Sequence, residues 1–196
     1  FWKWCLPRAQ QHFPGSLGEV QPAEMYFAVN AVRPSLIRVE ADEVTYNLHI
    51  IIRFELEQAM IAGDLVAADL PAAWNEKYQH YLGITPPDDA DGVMQDIHWS
   101  AGLIGYFPTY SLGNLYAAQF FAAATAELGD VDGMIERGDF EPLQQWMGRQ
   151  IHHHGQCYSA AELVEQATGK PLSHEPLVGY LKDKLYPLYG LDQSPV

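Results

Sequence analysis

The sequence predicts a mainly α-helical protein, and three observations carry that expectation. Apolar residues recur at helical spacing through most of the chain, such segments stop at Gly or Pro, and Asp or Ser stands where several would begin. No internal repeat or low-complexity tract interrupts the pattern. Residues 1–13 read as a first helix with Pro14-Gly15 as its stop. Met25 to Val32 is aromatic, β-branched in places and followed by Pro34, so a strand or an extended crossing segment is expected there.

Asp42 to Gly63 gives the clearest long helix. Asp42 can cap its free N–H groups, acids fill its first turn, and Gly63 suits a left-handed last residue. Val44, Leu48, Ile51, Ile52, Phe54, Leu56, Ala59 and Met60 make it apolar almost all round, the pattern of a central helix. Pro71 to Leu82 is a shorter helix with Gly83 after its end, and Thr85 to Gly92 is a Pro- and Asp-rich loop. Leu112 to Leu128 follows an irregular Gly-rich stretch, closes at Gly129, and carries Ala117, Ala118, Ala122, Ala123 and Ala124 as a small face for close helix contact. Further helices are expected at about 131–137, 140–153 and 160–168, the last opened by a Ser159-x-x-Glu162 capping box. Ser173 caps the final helix to about Tyr189, within the amphipathic stretch Leu181 to Leu191, and a polar tail begins at Asp192.

Composition narrows the function classes. The 196 residues hold 25 Asp and Glu against 11 Lys and Arg, a formal charge of −14, with 48% apolar residues. A chain of this kind buries a core and is not disordered. Nucleic acid is excluded as a partner, because phosphate binding needs clustered Lys and Arg and the chain has no such cluster. No membrane span is expected, since the longest apolar candidate, Leu48 to Met60, is broken by Arg53, Glu55 and Glu57. Cys5 and Cys157 stand far apart, which leaves neither a disulfide framework nor a CxxC zinc site, and both read as ordinary buried thiols. The start, Phe1-Trp2-Lys3-Trp4, lacks an initiator Met and the plan of a signal peptide, as expected of a soluble intracellular chain that begins inside a larger protein.

Two segments carry polar residues that a simple helical protein would not need. One is Ile37 to Asp42, at the entrance of the long apolar helix. The other runs from Gly92 through Gln95, Asp96 and His98 to Tyr106 and Tyr110, and includes Gly102 and Gly105. Glycines permit tight backbone and close approach to a ligand. Imidazole and phenol groups are donors suited to an oxyanion or a carboxylate. The same Gln95, Asp96 and His98 also suit a satisfied polar network at a helix boundary. Arg38 can grip a substrate carboxylate bidentately, or pair with Glu40, Asp42 or Asp96 as scaffolding. His152-His153-His154 is not expected to hold a native metal, because consecutive helical residues point about 100° apart. His49 reads as a hydrogen-bonded core residue, and Trp2, Trp4, Trp74, Trp99 and Trp146 mostly as packing.

Ile37, Arg38, Ala41 and Asp42 fill the pattern IRxxAD, and Gly92, Gln95, Asp96, His98 and Trp99 fill GxxQDxHW. In this order, flanked by Asn30-x-x-x-Pro34-Ser35, Tyr46-x-x-His49 and Gly105-Tyr106-Phe107-Pro108, they resemble the two signature motifs of the M32 (carboxypeptidase Taq) metallocarboxypeptidases. The likeness runs to the end of the chain. It implies the helical, two-lobed fold of neurolysin-like gluzincins, with a deep groove between the lobes. Residues 1–196 would be a single helical C-terminal region of that fold, with at most a short strand near residues 25–32.

The resemblance further implies a cytoplasmic, homodimeric peptidase that removes single residues from peptide C-termini. Its metal, zinc or another divalent ion, is held by the two His of HExxH and a downstream Glu. That metal lowers the pKa of a bound water, whose proton the HExxH Glu takes. This sequence has no HExxH, and it lacks the family's HPF, DxRxT and HES-like segments, which lie N-terminal to IRxxAD. The chain is therefore expected to bind no metal, to be inactive when isolated, and to have the N-terminal half of the same protein and a peptide as its partners. By the same resemblance His98 and Tyr110 are catalytic, the latter stabilising the oxyanion. Arg38 and Tyr106 bind the substrate's terminal carboxylate, and Asp42, Gln95 and Asp96 support them. The rival expectation is a stand-alone helical interaction module without catalysis.

Overall fold

The structure is a computed structural model that describes residues 1–191; the polar tail from Asp192 lies outside the described residues. All its regular elements are helices: α1 Trp2–His12, α2 Pro14–Leu17, α3 Pro22–Val29, α4 Thr45–Ala62, α5 Leu70–Leu82, α6 Pro108–Leu128, α7 Val131–Arg137, α8 Glu141–Gln150, α9 Ala160–Thr168 and α10 Glu175–Tyr189. The mainly α expectation holds, and no strand occurs among the described residues. The segment read as a strand or crossing segment is helical instead over Pro22–Val29. Its Pro occupies the first turn, where no N–H is needed, and the Glu24 carboxylate accepts the Gln21 backbone N–H at 2.8 Å. No helix among the described residues is long and apolar enough to cross a membrane.

Packing divides the chain into two compact units, residues 30–113 in one, and residues 1–29 with those from 114 onward in the other. The 30–113 unit is built on α4 and α5. Ile52 and Leu56 of α4 and Trp74, Tyr78 and Leu82 of α5 form its core, with Leu36, Val93 and Trp99 packed against it. The start of α4 follows from Asp42, whose carboxylate accepts the backbone N–H groups of Val44 and Thr45, each at 2.9 Å. Its end follows from Gly63, left-handed at φ 84° and closing onto Ala59 and Met60. Thr45, His49, Ile52, Arg53 and Leu56 are buried at helical spacing. Ile51, Phe54 and Ile61 stay exposed, so α4 is apolar all round but covered on one side within the described residues.

The stretch between α5 and α6 is irregular. Gly105 sits at φ 78°, in the left-handed region that an L side chain adopts only under strain. α6 begins at Pro108, four residues before the expected Leu112, because Pro is pre-set for a first helical turn. Tyr110 therefore lies on α6.

The other unit buries Leu6, Ala124, Val131, Trp146, Val164 and Leu185. Of the alanine face expected on α6, Ala124 is the one that is buried. The capping box at Ser159 and Glu162 forms as expected, and Ser173 accepts the Glu175 N–H at 3.2 Å. The helix expected over 140–153 ends at Gln150 and gives way to a 3-10 turn over His152–His154. Cys157 is exposed and not a buried thiol, since it follows that turn on the surface; Cys5 is half-buried.

Gln119, buried on α6, clasps the connection between α9 and α10. Its amide nitrogen donates to the Lys170 and Pro171 carbonyls at 3.2 and 3.0 Å, and its oxygen accepts the Ser173 N–H at 2.9 Å. Gln119→Leu keeps the volume but leaves those backbone groups unpaired, so unfolding in urea should show a loss of about 2–4 kcal/mol. A loss under about 0.5 kcal/mol would mean that water replaces the clasp freely.

Candidate functional site

The two segments singled out in the sequence meet inside the 30–113 unit. The first ends in a 3-10 turn, Arg38–Glu40, and the second forms the irregular run before α6. Asp96 lies between two guanidinium groups. Its Oδ1 accepts from Arg38 Nε at 3.0 Å and Nη2 at 2.7 Å, and its Oδ2 accepts from Arg53 Nε at 2.7 Å. Burial opposes ionisation of this carboxyl, but the hydrogen bond from Arg38 and the charge of Arg53 outweigh it and hold its pKa below the ordinary value. Burial likewise works against the Arg38 cation, and Asp96 more than compensates.

Gln95 ties the same parts together through its amide. Its oxygen accepts the Arg38 backbone N–H at 2.9 Å and Arg53 Nη2 at 2.8 Å. Its nitrogen donates to the carbonyls of Leu36 and Asp91 at 3.0 and 2.9 Å. Tyr78 on α5 donates to the Leu36 carbonyl at 3.0 Å, and burial raises its phenol pKa. Asp42, in contrast, does its work at the start of α4, where it also accepts the Arg33 N–H at 3.0 Å.

Arg38 is 6% exposed. Its Nη1 donates to the Tyr46 hydroxyl at 2.8 Å, and its guanidinium carbon lies 5.0 Å from the centre of the Tyr110 ring. A guanidinium has five N–H groups. Its side-chain bonds to Asp96 and Tyr46 employ three, which leaves one N–H on each terminal nitrogen without an acceptor among the described residues.

His98 Nε2 and the Tyr110 hydroxyl share a hydrogen bond of 3.0 Å, the donor depending on the imidazole tautomer. The His98 ring lies 5.6 Å from that of Tyr106 and 4.3 Å from that of Phe107, which is buried. Its Nδ1 is buried without a hydrogen bond, 3.8 Å from Asp96 Oδ1. Desolvation raises the Tyr110 phenol above its ordinary pKa, against the charge of Arg38, so at neutral pH it is an O–H donor. Tyr106 packs edge-on against Tyr110 and is 44% exposed. Arg38, Tyr106, Tyr110 and His98 thus form one cluster, resting on Gln95 and Asp96.

Arg53 and Tyr78 were not among the expected site residues, although both reach Gln95. One signal for Arg53 was present: a lone cation inside a run apolar all round must have an internal partner. No three His, Cys, Asp or Glu side chains gather where they could hold a metal, among the described residues.

His49 is fully buried and shares a 3.0 Å hydrogen bond through Nδ1 with the Tyr78 hydroxyl. Burial, then the charges of Arg53 and Arg38, push its pKa down to about 4. The unfolded chain therefore takes up a proton near pH 6.5 that the folded chain refuses until about pH 4. The stability involved is present above pH 6.5 and lost as pH falls, by about 2–3 kcal/mol at pH 4.5. Urea unfolding at pH 7 and 4.5 should show this loss, and His49→Gln should remove most of it. Equal losses in both proteins would contradict it.

Comparison with known proteins identifies the family. The family model described as carboxypeptidase Taq (M32) metallopeptidase matches residues 1–185. The chain is 55% identical over 190 residues to thermostable carboxypeptidase 1 of Thermus thermophilus, covering 97% of this chain and 37% of that protein. It is 43% identical over 191 residues to carboxypeptidase 1 of Bacillus subtilis, covering 97% of this chain and 38% of that one. The solved M32 carboxypeptidase from Deinococcus radiodurans R1 superposes with a TM-score of 0.94 at 44% identity, over 97% of this chain and 38% of that one. The chain thus spans somewhat over a third of the length of these relatives, and it belongs to the carboxypeptidase Taq (M32) metallopeptidase family.

Proposed function

We propose that this chain is the C-terminal part of a metal-dependent carboxypeptidase, and that it supplies the groups that hold the peptide's C-terminal carboxylate and stabilise the oxyanion. The observation that carries this function is the single cluster of Arg38, His98, Tyr106 and Tyr110, in which Arg38 keeps one N–H on each terminal nitrogen for an incoming acceptor. Two parallel N–H groups on a planar cation match a carboxylate better than a lysine would. Tyr106, exposed beside them, helps position the same end of the peptide.

Tyr110 keeps its proton at neutral pH and can donate it as a hydrogen bond to the oxygen that becomes negative when the peptide carbonyl is attacked. His98 fixes the direction of that hydroxyl and can itself donate when its tautomer allows. Asp96 and Gln95 hold Arg38 in place.

We assign the metal that the family description implies, zinc or another divalent ion, to the part of the enzyme outside this sequence, because the HExxH pattern that would hold it does not occur in these 196 residues. Two facts support a larger enzyme: the relatives are more than twice as long, and Ile51, Phe54 and Ile61 are apolar and exposed on α4.

The test joins this sequence to the remainder of its enzyme and follows release of the last residue from an N-blocked dipeptide. Turnover should vanish on chelation and be absent from the isolated chain. Tyr110→Phe should lower kcat by about a hundredfold while KM moves little. Turnover by the isolated chain, or a Tyr110→Phe enzyme with normal kcat, would contradict the assignment.

A further inference from the structure

Arg53 is fully buried, so it cannot touch a substrate. Four of its five N–H groups have acceptors inside the protein: Nε donates to Asp96 Oδ2 at 2.7 Å, Nη1 to the His49 carbonyl at 2.9 Å, and Nη2 to Gln95 Oε1 at 2.8 Å and the Tyr78 hydroxyl at 3.3 Å. The Trp74 ring covers its face, 4.4 Å from the guanidinium carbon. A buried Arg needs one carboxylate to be neutralised, and Arg53 does not have one to itself. Asp96 is shared, one oxygen to each arginine.

The charge count follows. Arg38 with Asp96 alone is a neutral pair, with little left to attract an anion. Arg38, Asp96 and Arg53 together carry one net positive charge, and its outlet is the Arg38 terminus, because Arg53 is sealed. The ion pairs of both arginines go to Asp96, and Glu57, the buried carboxylate one turn along α4 from Arg53, accepts from Trp99 Nε1 at 2.8 Å instead. Tyr78, Tyr46 and Tyr110 are phenols, and His49 is neutral at physiological pH because its pKa is pushed down to about 4. His98 can only add positive charge.

Resting on the function proposed above, we infer that Arg53 is a positioning residue for substrate binding: by sharing Asp96 it leaves Arg38 with an uncancelled positive charge for the peptide's terminal carboxylate. Its effect falls on substrate affinity and not on the chemical step. Arg53 is therefore a determinant of the preference for a free C-terminus, acting from a place the peptide never reaches.

The experiment uses the full-length enzyme that contains this sequence, with kcat and KM measured on an N-blocked dipeptide bearing a free carboxylate, and thermal unfolding followed alongside. Arg38→Met first tests the role of Arg38 itself and should raise KM at least tenfold, roughly the loss expected of a charge-assisted pair. Arg53→Gln should raise KM about tenfold, the scale of a unit charge acting at an effective dielectric near 20, with kcat changed less than about threefold. Arg53→Lys keeps the charge and should stay within about threefold of the wild-type KM. An unchanged KM in Arg53→Gln, or a KM in Arg53→Lys as high as in Arg38→Met, overturns the inference. If Arg53→Gln does not fold, Arg53→Lys decides alone, and failure of both to fold assigns Arg53 to folding only and overturns it as well. An unchanged KM in Arg38→Met is a different failure, which sinks the assigned role of Arg38.

Discussion

One buried carboxylate organises the 30–113 unit. Asp96 stands between Arg38 and Arg53, and the three charged groups join the Arg38–Glu40 turn, α4 and the irregular run before α6. Taking such charges out of water costs several kcal/mol per ion, so each is tolerable only while the others are in place. Gln95 and Tyr78 complete the bracing with bonds to backbone carbonyls and to Arg53. The result is a polar core set directly against an apolar one, since Tyr78 also packs with Ile52, Leu56 and Trp74.

This arrangement separates two duties. The sealed side, with Arg53, His49 and Tyr78, is fully buried and has its bonds among protein groups. On the other side Tyr106 is exposed, and Arg38 and Tyr110 lie beside it, the side assigned to substrate in the proposed function. A group that must bind an anion has to keep its charge and lose its freedom of movement. In the proposed reading, pairing Arg38 with Asp96 fixes it, and Arg53 behind that acid keeps the pairing from neutralising it. Removing a member of such a trio costs about 3–5 kcal/mol, because a charge is then left buried without compensation.

Much of this was legible in the residues themselves. Asp42, Gly63, Pro71, Gly83 and the Ser159–Glu162 box mark helix ends by local chemistry, and those ends fall within a few residues of expectation. Where sequence misled, the deciding contact was not visible in composition. The aromatic stretch from Met25 looked strand-like, but Pro22 and Glu24 had already begun a helix. The motif residues Arg38, Gln95, Asp96 and His98 stood out in the sequence, and they do meet in one cluster. Arg53 and Tyr78 stand on helices remote in sequence from that run, on α4 and α5, and neither spacing nor periodicity links them to Asp96 or Gln95. The exposed position of Cys157 has the same origin, since it depends on the turn at His152–His154 and not on the residue type.

The most direct measurement is a crystal structure of the full-length enzyme with a slowly cleaved peptide bound. The account predicts the peptide's terminal carboxylate within hydrogen-bonding distance of the Arg38 terminal nitrogens, with the Tyr110 hydroxyl about 3 Å from the scissile carbonyl oxygen. A carboxylate held elsewhere, with Arg38 still bonded only to Asp96 and Tyr46, would contradict it.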